Sequence, residues 1–280
     1  MTMTRDGRSL SVERRGELAG DGRPVVVLES GMGVSRHMWG AVIECLDGRA
    51  TTIAYDRSGL GDSPADPAPR TLERLASDLV DVLGDLGDQS VVLVGHSWGG
   101  PVVRRAAEQV PDRVVGLVLV DVTEETCDLF VGASGERQTR LALPLLPLLA
   151  RTGLTRLAVG RLASDLPDGS AAAMRAVDGT VAAARTQQAE LRGHIDDLRG
   201  LLSAPPVLPT VPITYISGTR AARSERGRRP AVVAAHAAAA AAQPLGRHVT
   251  ADRSGHHVPI NEPALVADEI LRIVDATGRH

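Results

Sequence analysis

A serine in the segment 95–99 (GHSWG) lies between an apolar run, 90–94 (SVVLV), and a predicted helix over 101–109. This strand–turn–helix context predicts a tight turn that strains the backbone of Ser97, which requires small residues on both sides. The glycines at either end of the segment meet that requirement. The turn would present the hydroxyl as a nucleophile and place the Trp98 N–H at a helix N-terminus, where it can stabilise an oxyanion. The alternative is a glycine-rich phosphate-binding or packing turn.

A serine hydroxyl is a weak nucleophile and needs a base, for which His256 is the candidate. It follows Gly255 in a loop between the last predicted strand and the last predicted helix, 159 residues after Ser97. His257 is a rival, but adjacent side chains point in different directions, and the residue directly after the glycine is favoured. A structural role for His256 stays open as the alternative. His96 is expected to pack or hydrogen-bond beneath the serine turn.

The elements around these residues alternate between strands and helices. Short β-branched runs without polar alternation predict strands buried on both faces of a parallel sheet. They are 24–29, 51–55, 90–94, 114–120 and 211–217. An edge strand is predicted at 9–14, a short final strand at 247–251, and helices at 71–86, 101–109, 231–242 and 263–276. This order predicts an α/β fold with a doubly wound, mostly parallel sheet.

Residues 123–209, which we call the cap segment, replace the strand pattern with an Ala-, Leu- and Arg-rich stretch of helical spacing. We interpret the chain as one domain, with a core at 1–122 and 210–280 and a helical cap inserted at 123–209. The run 141–150 (LALPLLPLLA) is too short to span a bilayer, which needs about 20 residues. It is predicted to be a buried or substrate-facing part of the cap above Ser97, with a membrane-surface patch as the alternative.

The composition limits the classes of partner. The 280 residues carry a net charge of −3, which gives no electrostatic reason to bind nucleic acid or an anionic membrane, so a small-molecule substrate is expected. The two cysteines, Cys45 and Cys127, suggest neither a disulfide framework nor a CxxC site. The sequence contains no metal-ligand or nucleotide motif, and no cofactor or metal is expected. A charged N-terminal stretch without an apolar signal segment favours a cytoplasmic location.

Five segments together resemble the α/β-hydrolase superfamily, in its esterase, lactonase, epoxide-hydrolase and dehalogenase-like branch. They are 30–33 (SGMG), 56–63 (DRSGLGDS), 95–100 (GHSWGG), 116–121 (GLVLVD) and 255–263 (GHHVPINEP). The resemblance covers about residues 7–122 and 210–276 in the right order. Epoxide hydrolases and dehalogenases attack with an aspartate, so Ser97 argues against those two activities. The resemblance also implies the Met32 N–H as the second oxyanion donor, after a Ser-Gly pair where the family has His-Gly.

The sequence identifies the acid that would orient the histidine less directly than it identifies the serine and the histidine. Its usual place in the family follows the strand 211–217, but the segment there, 218–225 (GTRAARSE), contains Glu225 and no aspartate. Some members that the chain resembles place the acid at the end of the preceding strand, about 24 residues after the nucleophile, and Asp121 lies there. Asp121 is therefore predicted to be the acid, with a turn-capping role as the alternative.

The remaining candidates concern the walls of the site. Gly31 and Trp39 are predicted to contact substrate, although core packing explains Trp39 equally well. Asp56 and Arg57 are expected to order a loop at the mouth of the site through ion pairing. The arginine-rich loop 220–229 is expected to be a solvated face.

Taken together, these residues predict hydrolysis of a carboxylic ester or lactone of a small apolar substrate through an acyl-enzyme. Amide or thioester hydrolysis by the same groups is the nearest alternative. A non-hydrolytic, ligand-binding role is the second, because a fold alone does not fix a function.

Overall fold

The computed structural model describes residues 1–18, 22–221 and 227–277. Its strands are β1 (Thr2–Met3), β2 (Ser9–Leu10), β3 (Val12–Arg15), β4 (Val25–Glu29), β5 (Thr52–Tyr55), β6 (Val91–His96), β7 (Val114–Val120), β8 (Ile213–Gly218) and β9 (Gly246–Ala251). β1 pairs with β2, and the others lie side by side in the order β3-β5-β4-β6-β7-β8-β9. β3 is antiparallel to β5, and the remaining neighbours are parallel. The predicted mostly parallel sheet is confirmed.

Helices cover both faces of this sheet. They are α1 (Gly40–Leu46), α2 (Leu72–Gly84), α3 (Gly99–Gln109), α4 (Asp128–Val131), α5 (Ala133–Arg151), α6 (Leu154–Leu162), α7 (Asp168–Val177), α8 (Val181–Ser203), α9 (Arg229–Ala241), α10 (Val258–Asn261) and α11 (Pro263–Thr277). Short 3-10 helices lie at Arg36–Trp39 and Ala163–Asp165. α2, α3 and α9 pack on one face, and α1 and α11 pack on the other. This is the doubly wound arrangement that the sequence predicted.

The inner strands are buried on both faces because their residues are apolar without interruption. Successive side chains of a strand point to opposite faces. Val25 and Val27 of β4 therefore join the core beneath α2, whereas Val26 and Leu28 join the core beneath α11. The parallel register extends both layers into β6, where Leu93 is the partner of Val27. The two layers hold the carboxyl ends of β4, β6 and β7 side by side, and the candidate residues follow those ends.

The chain between β7 and β8 forms α4 to α8 without a strand. This is the helical stretch that the sequence indicated, while its division from the core at 123–209 stays a prediction. α8 is the best anchored of these helices, since Leu198 and Leu201 are fully buried in the same core as α2.

The run 141–150 does not lie over the site. α5 contacts α8 along one side, and Leu141, Leu145 and Leu148 are 60%, 47% and 53% exposed. The preferred prediction for this run was wrong for these leucines, because apolar composition does not tell which side of a helix is covered. Among the described residues, no single helix is long and apolar enough to cross a membrane, and one bent pair, α5 with Leu154–Asp165 at 89°, meets the length and hydropathy criteria together.

Candidate active site

Ser97 occupies the turn from β6 into α3 with a backbone φ of 53°. Within the described ranges, Ser97 and Asp121 are the only non-glycine residues with positive φ, a conformation that strains an L-residue. A Cβ on Gly95 would lie 2.5 Å from the Gly99 carbonyl oxygen, and a Cβ on Gly99 would lie 2.6 Å from that of Glu29. The turn therefore needs glycine at both positions, because backbone fills the space on each side.

His256, in the loop between β9 and α10, reaches both predicted partners. Its Nε2 lies 3.1 Å from Ser97 Oγ, and its Nδ1 lies 2.7 Å from Asp121 Oδ2. Because a carboxylate can only accept, the Nδ1–H donates to Asp121, which leaves the Nε2 lone pair facing the serine hydroxyl. The rival His257 makes neither contact, and burial lowers its pKa to about 4, so its ring is neutral. The structure thus brings together the serine, the histidine and the aspartate that the sequence singled out.

Asp121 directly follows β7 and is held from three sides. Its Oδ1 accepts a hydrogen bond from the Gly218 N–H at 3.0 Å. Arg229 donates to both of its oxygens in three hydrogen bonds of 2.8, 2.8 and 3.1 Å. Burial alone would raise the pKa of Asp121, but the hydrogen bond from His256 and the Arg229 charge hold that pKa below its usual value. The alternative acid, Glu225, lies outside the described residues.

α9 supports the turn after β7 with two side chains that sequence reasoning missed. Arg229 is its first residue, and His236 lies two turns further on. The His236 Nε2–H donates to the Val122 carbonyl at 2.8 Å, and its Nδ1 accepts from the Ser217 hydroxyl at 2.7 Å. Burial lowers the pKa of His236 to about 4, so this ring is neutral. The expectation of a solvated face at 220–229 was wrong for Arg229, which is 8% exposed because it pairs with a buried carboxylate.

His96 supports the His256 loop from below. Burial holds the pKa of His96 well below its usual value, so the ring is neutral, and its Nε2–H donates to the His256 carbonyl at 2.9 Å. Trp39 packs edge-on against His96 at a ring-centroid distance of 6.5 Å and is fully buried. The predicted contact of Trp39 with substrate disagrees with this placement. Trp39 instead packs in the core, which was the alternative interpretation of this residue.

The backbone N–H groups of Met32 and Trp98 belong to two turns that pack against each other. A Cβ on Gly31 would lie 3.3 Å from Ser97 Cβ, so the loop after β4 runs directly beside the serine. The hydrogen bonds that close the serine turn use the N–H groups of Ser97 and Gly100, which leaves the Trp98 N–H for another acceptor. Gly31 lies next to the serine, and its contact with substrate stays a prediction.

Arg57 fixes the loop after β4. Its buried guanidinium donates to two carboxylates and two backbone carbonyls, those of Glu29, Glu190, Ser30 and Gly31. Burial raises the pKa of Glu29 to about 6, although the Arg57 charge opposes the shift. Because Glu190 belongs to α8, the guanidinium ties this loop to the cap segment. Ion pairing was expected of Arg57, and its partners could not be read from the sequence.

A cavity of about 260 Å³ opens above Ser97. Phe130 of α4 and Gln138 of α5 contribute to its wall, so the cap segment borders the site through these two helices and not through 141–150. The remaining wall is formed by Asp121, Thr123, Arg228, Arg229, Val232 and His256. Across the described ranges, no group of three or more His, Cys, Asp or Glu residues is placed to hold a metal ion.

Comparison with known proteins identifies the family of this chain. The model of the α/β hydrolase family matches residues 25–269. The chain belongs to the α/β hydrolase family. As a member, it is similar along most of its length to an uncharacterised protein of Mycobacterium tuberculosis. The two are 30% identical over an alignment 286 positions long, which covers 93% of this chain and 77% of that one. The resemblance read from the motifs is confirmed.

Other similarities of this α/β hydrolase are partial or concern the fold. A protein of Caulobacter vibrioides, named as a candidate carbamate hydrolase (RutD), is 39% identical over 101 residues, and the chain spans only 38% of its length. The structure of a thermophilic esterase from Thermogutta terrifontis matches with a TM-score of 0.71 at 22% identity, covering 99% of this chain and 97% of that one. The epoxide hydrolase CorEH matches with a TM-score of 0.66, also at 22% identity, covering 99% and 98%.

Proposed function

We propose that this α/β hydrolase cleaves a carboxylic ester or lactone of a small, largely apolar substrate through an acyl-enzyme on Ser97. The proposal rests on the row of hydrogen bonds from Ser97 through His256 to Asp121, at 3.1 and 2.7 Å, at the floor of the cavity. Such a row supplies a hydroxyl nucleophile with a base, and the base with a carboxylate that fixes its tautomer. A turn that only packs or binds phosphate would not require these hydrogen bonds.

In the first half-reaction, Ser97 Oγ attacks the carbonyl carbon while His256 Nε2 takes the hydroxyl proton. The carbonyl oxygen becomes an oxyanion, which the N–H groups of Met32 and Trp98 stabilise. Asp121 stabilises the imidazolium that has formed. The intermediate then breaks its bond to the alcohol oxygen, and the proton on His256 passes to that departing oxygen.

Water completes the cycle. His256 Nε2 takes a proton from water as the water oxygen attacks the acyl carbon, and the same two N–H groups stabilise the second oxyanion. The bond to Ser97 Oγ breaks, and this oxygen recovers a proton from the imidazolium. An ester gives an acid and an alcohol, whereas a lactone gives a single hydroxy acid.

A fluorophosphonate probe and p-nitrophenyl esters of graded acyl length test the proposal. Wild type should be labelled on Ser97 and should hydrolyse at least one ester. Ser97→Ala should lose the label and lower turnover by about a thousandfold or more, because the nucleophile has no substitute. Ser203→Ala, at an exposed position that ends α8, is the matched control and should keep both activities. Comparable turnover by Ser97→Ala would overturn the assignment of the nucleophile.

A panel of lactones, carbamates, amides and thioesters separates the alternatives. The partial similarity to the protein named as a candidate carbamate hydrolase is the reason to include carbamates. The proposal expects the highest kcat/KM on esters or lactones. A labelled enzyme that prefers carbamates would keep the nucleophile and replace the substrate class, whereas a chain that neither labels nor turns over would favour a binding role.

A further inference from the structure

Six exposed leucines lie on two consecutive helices of the cap segment. Four lie on α5 and two on α6, and their exposed fractions range from 37% to 60%. They are Leu141, Leu145, Leu148, Leu149, Leu154 and Leu157, which we call the leucine face. Leu145 follows Leu141 by four residues, and the adjacent Leu148 and Leu149 follow Leu145 by three and four, which puts the four on one side of the helix. α8 covers the other side of α5, so the leucines are not needed for packing against it.

The same two helices carry five arginines. Residues 137–164 contain Arg137, Arg140, Arg151, Arg156 and Arg161 and no aspartate or glutamate, although the whole chain has a net charge of −3. All five are exposed. In the described part of the chain, none of their guanidinium groups takes part in an ion pair or a hydrogen bond. The segment that carries the leucine face therefore combines exposed apolar side chains with positive charge alone.

We propose that the leucine face docks on the surface of an anionic phospholipid bilayer. Apolar side chains that enter the boundary between head groups and acyl chains, beside arginines that meet lipid phosphates, are the composition of helices that lie in a membrane interface. α5 and the following helical stretch, Leu154–Asp165, meet at 89°, and both carry exposed leucines that are available to such a surface. The net charge of the whole chain does not reveal this local excess of arginine. The composition therefore did not indicate it.

A second copy of this chain fits the face less well. A two-fold interface places the same patch on both partners. The five arginines of one copy would then lie near the five arginines of the other, with no carboxylate between residues 137 and 164 to compensate. An anionic lipid surface removes that conflict, because its phosphates supply the missing negative charge.

The leucine face and the candidate active site share a helix. Gln138, in the first turns of α5, lines the cavity above Ser97, and the leucines begin one turn later. Docking would therefore bring the border of the cavity to the lipid surface. This docking does not depend on the proposed reaction, and it is tested without measuring catalysis.

Co-sedimentation with large vesicles tests the proposal on the wild-type protein. The vesicles contain either phosphatidylcholine alone or equal parts of phosphatidylcholine and phosphatidylglycerol. We expect at least about tenfold stronger partitioning onto the anionic vesicles at low salt, and a clear loss when salt screens the arginines. Equal partitioning onto both vesicles, or no binding to either, would overturn the proposal, and this comparison requires no variant to fold.

Substitutions then locate the surface. Leu145→Glu with Leu148→Glu should abolish the binding, and Arg151→Glu with Arg156→Glu should weaken it by about tenfold or more. The matched control is Leu202→Glu with Leu245→Glu, two leucines that are 44% and 52% exposed outside the leucine face, and it should bind as wild type does.

Size-exclusion chromatography with light scattering tests whether a second copy of the chain binds the leucine face instead. We expect a mass that does not change when Leu145 and Leu148 are replaced. A wild-type dimer that the leucine variant converts to a monomer would assign the face to a second copy and overturn the lipid proposal. Vesicle binding that survives the leucine variant would also overturn it, because the bound surface would then lie elsewhere.

Discussion

Arg229 allows a direct test of how Asp121 acts, because it binds the same carboxylate as His256. The guanidinium donates to both oxygens of Asp121, and the pair is almost completely buried. Arg229→Gln keeps a hydrogen-bond donor and removes the charge. Arg229→Lys keeps the charge and loses the two-pronged geometry. The two variants therefore separate the charge of this residue from its positioning role.

The size of the charge effect follows from the distances. Asp121 Oδ2 lies 2.8 Å from Arg229 Nη1 and 2.7 Å from His256 Nδ1, and two unit charges about 5 Å apart on either side of it repel by about 3 kcal/mol at an effective dielectric of about 20. That energy corresponds to roughly two pH units. The His256 side chain is 41% exposed, and screening by solvent reduces the effect to about one unit. Removal of the Arg229 charge should thus make the imidazole easier to protonate.

The other ionisable groups around His256 do not change their charge in the pH range of the assay. Burial holds the pKa of His96 well below its usual value, and burial lowers the pKa of His257 to about 4. Arg228, in the cavity wall, is a guanidinium that keeps its charge throughout. These neighbours therefore do not contribute to the pH dependence of kcat/KM between about pH 5 and 9.

The assay is kcat/KM for one p-nitrophenyl ester across this range, with wild type and both variants. Arg229→Gln should move the acidic limb upward by about one pH unit and lower the plateau by less than about tenfold. Arg229→Lys should leave the limb where it is and lower the plateau alone. Arg229→Gln should also lose stability, because a buried pair that loses one partner costs about 3–5 kcal/mol, so the assays run below the melting temperature of each variant. A limb that stays in place in Arg229→Gln would refute the reasoning and leave Arg229 a structural role only.

Three further substitutions test the loop beside the serine and the packing of the cap segment. Gly31→Ala should lower kcat by about tenfold with little change in melting temperature, because a Cβ there would lie 3.3 Å from Ser97 Cβ; an unchanged kcat would contradict the tight approach. Arg57→Lys should lower the unfolding free energy in urea by about 3–5 kcal/mol, because one ammonium cannot replace a guanidinium shared by two buried carboxylates; a loss below about 1 kcal/mol would contradict it. Burial raises the pKa of Asp178 to about 7, so the folded protein keeps a proton that the unfolded chain releases above about pH 4, and stability falls as pH rises from about 4 to 7. Asp178→Asn should therefore be more stable than wild type at pH 8, by up to about 4 kcal/mol, and nearly equal to it at about pH 4. Asp196→Asn, at an 88% exposed carboxylate, is the control, and its difference in stability from wild type should not change with pH.

The parts of the fold that could be predicted are those whose cause is local. The uninterrupted apolar runs gave the buried parallel strands. The helix predicted from residue 71 begins with Thr71 as its N-cap, which accepts a hydrogen bond from the Arg74 N–H at 3.3 Å. The strand predicted at 9–14 is instead divided at Ser11, whose N–H donates to the Ser63 hydroxyl at 2.8 Å. α1 was not predicted, because a helix of seven residues that starts at a glycine is too short to show a recognisable helical repeat of apolar residues.

The candidate site divides in the same way. Ser97, His256 and Asp121 could be predicted because each follows the end of a strand, and the carboxyl ends of neighbouring parallel strands lie together. Arg229 could not, because it lies 108 residues from Asp121 and carries no motif. The available signal was physical: a carboxylate at the end of a buried strand needs a counter-charge, and the arginine-rich loop follows the next strand of the sheet. Asp56 is a similar case, since its partner proved to be Arg36.

The contacts of α8 decide which part of the cap segment belongs functionally with the core. Glu190 of α8 is fully buried, accepts from the Gly33 N–H at 3.0 Å, and shares the Arg57 guanidinium with the loop that carries Met32. Lifting α8 would separate a buried charge pair, at about 3–5 kcal/mol, and expose the leucines that join the core. It would also release the loop that supplies an oxyanion donor. An α8 that moved as a lid would therefore dismantle the proposed site each time it opened, so we expect substrate to enter between the core and the border formed by Phe130 and Gln138.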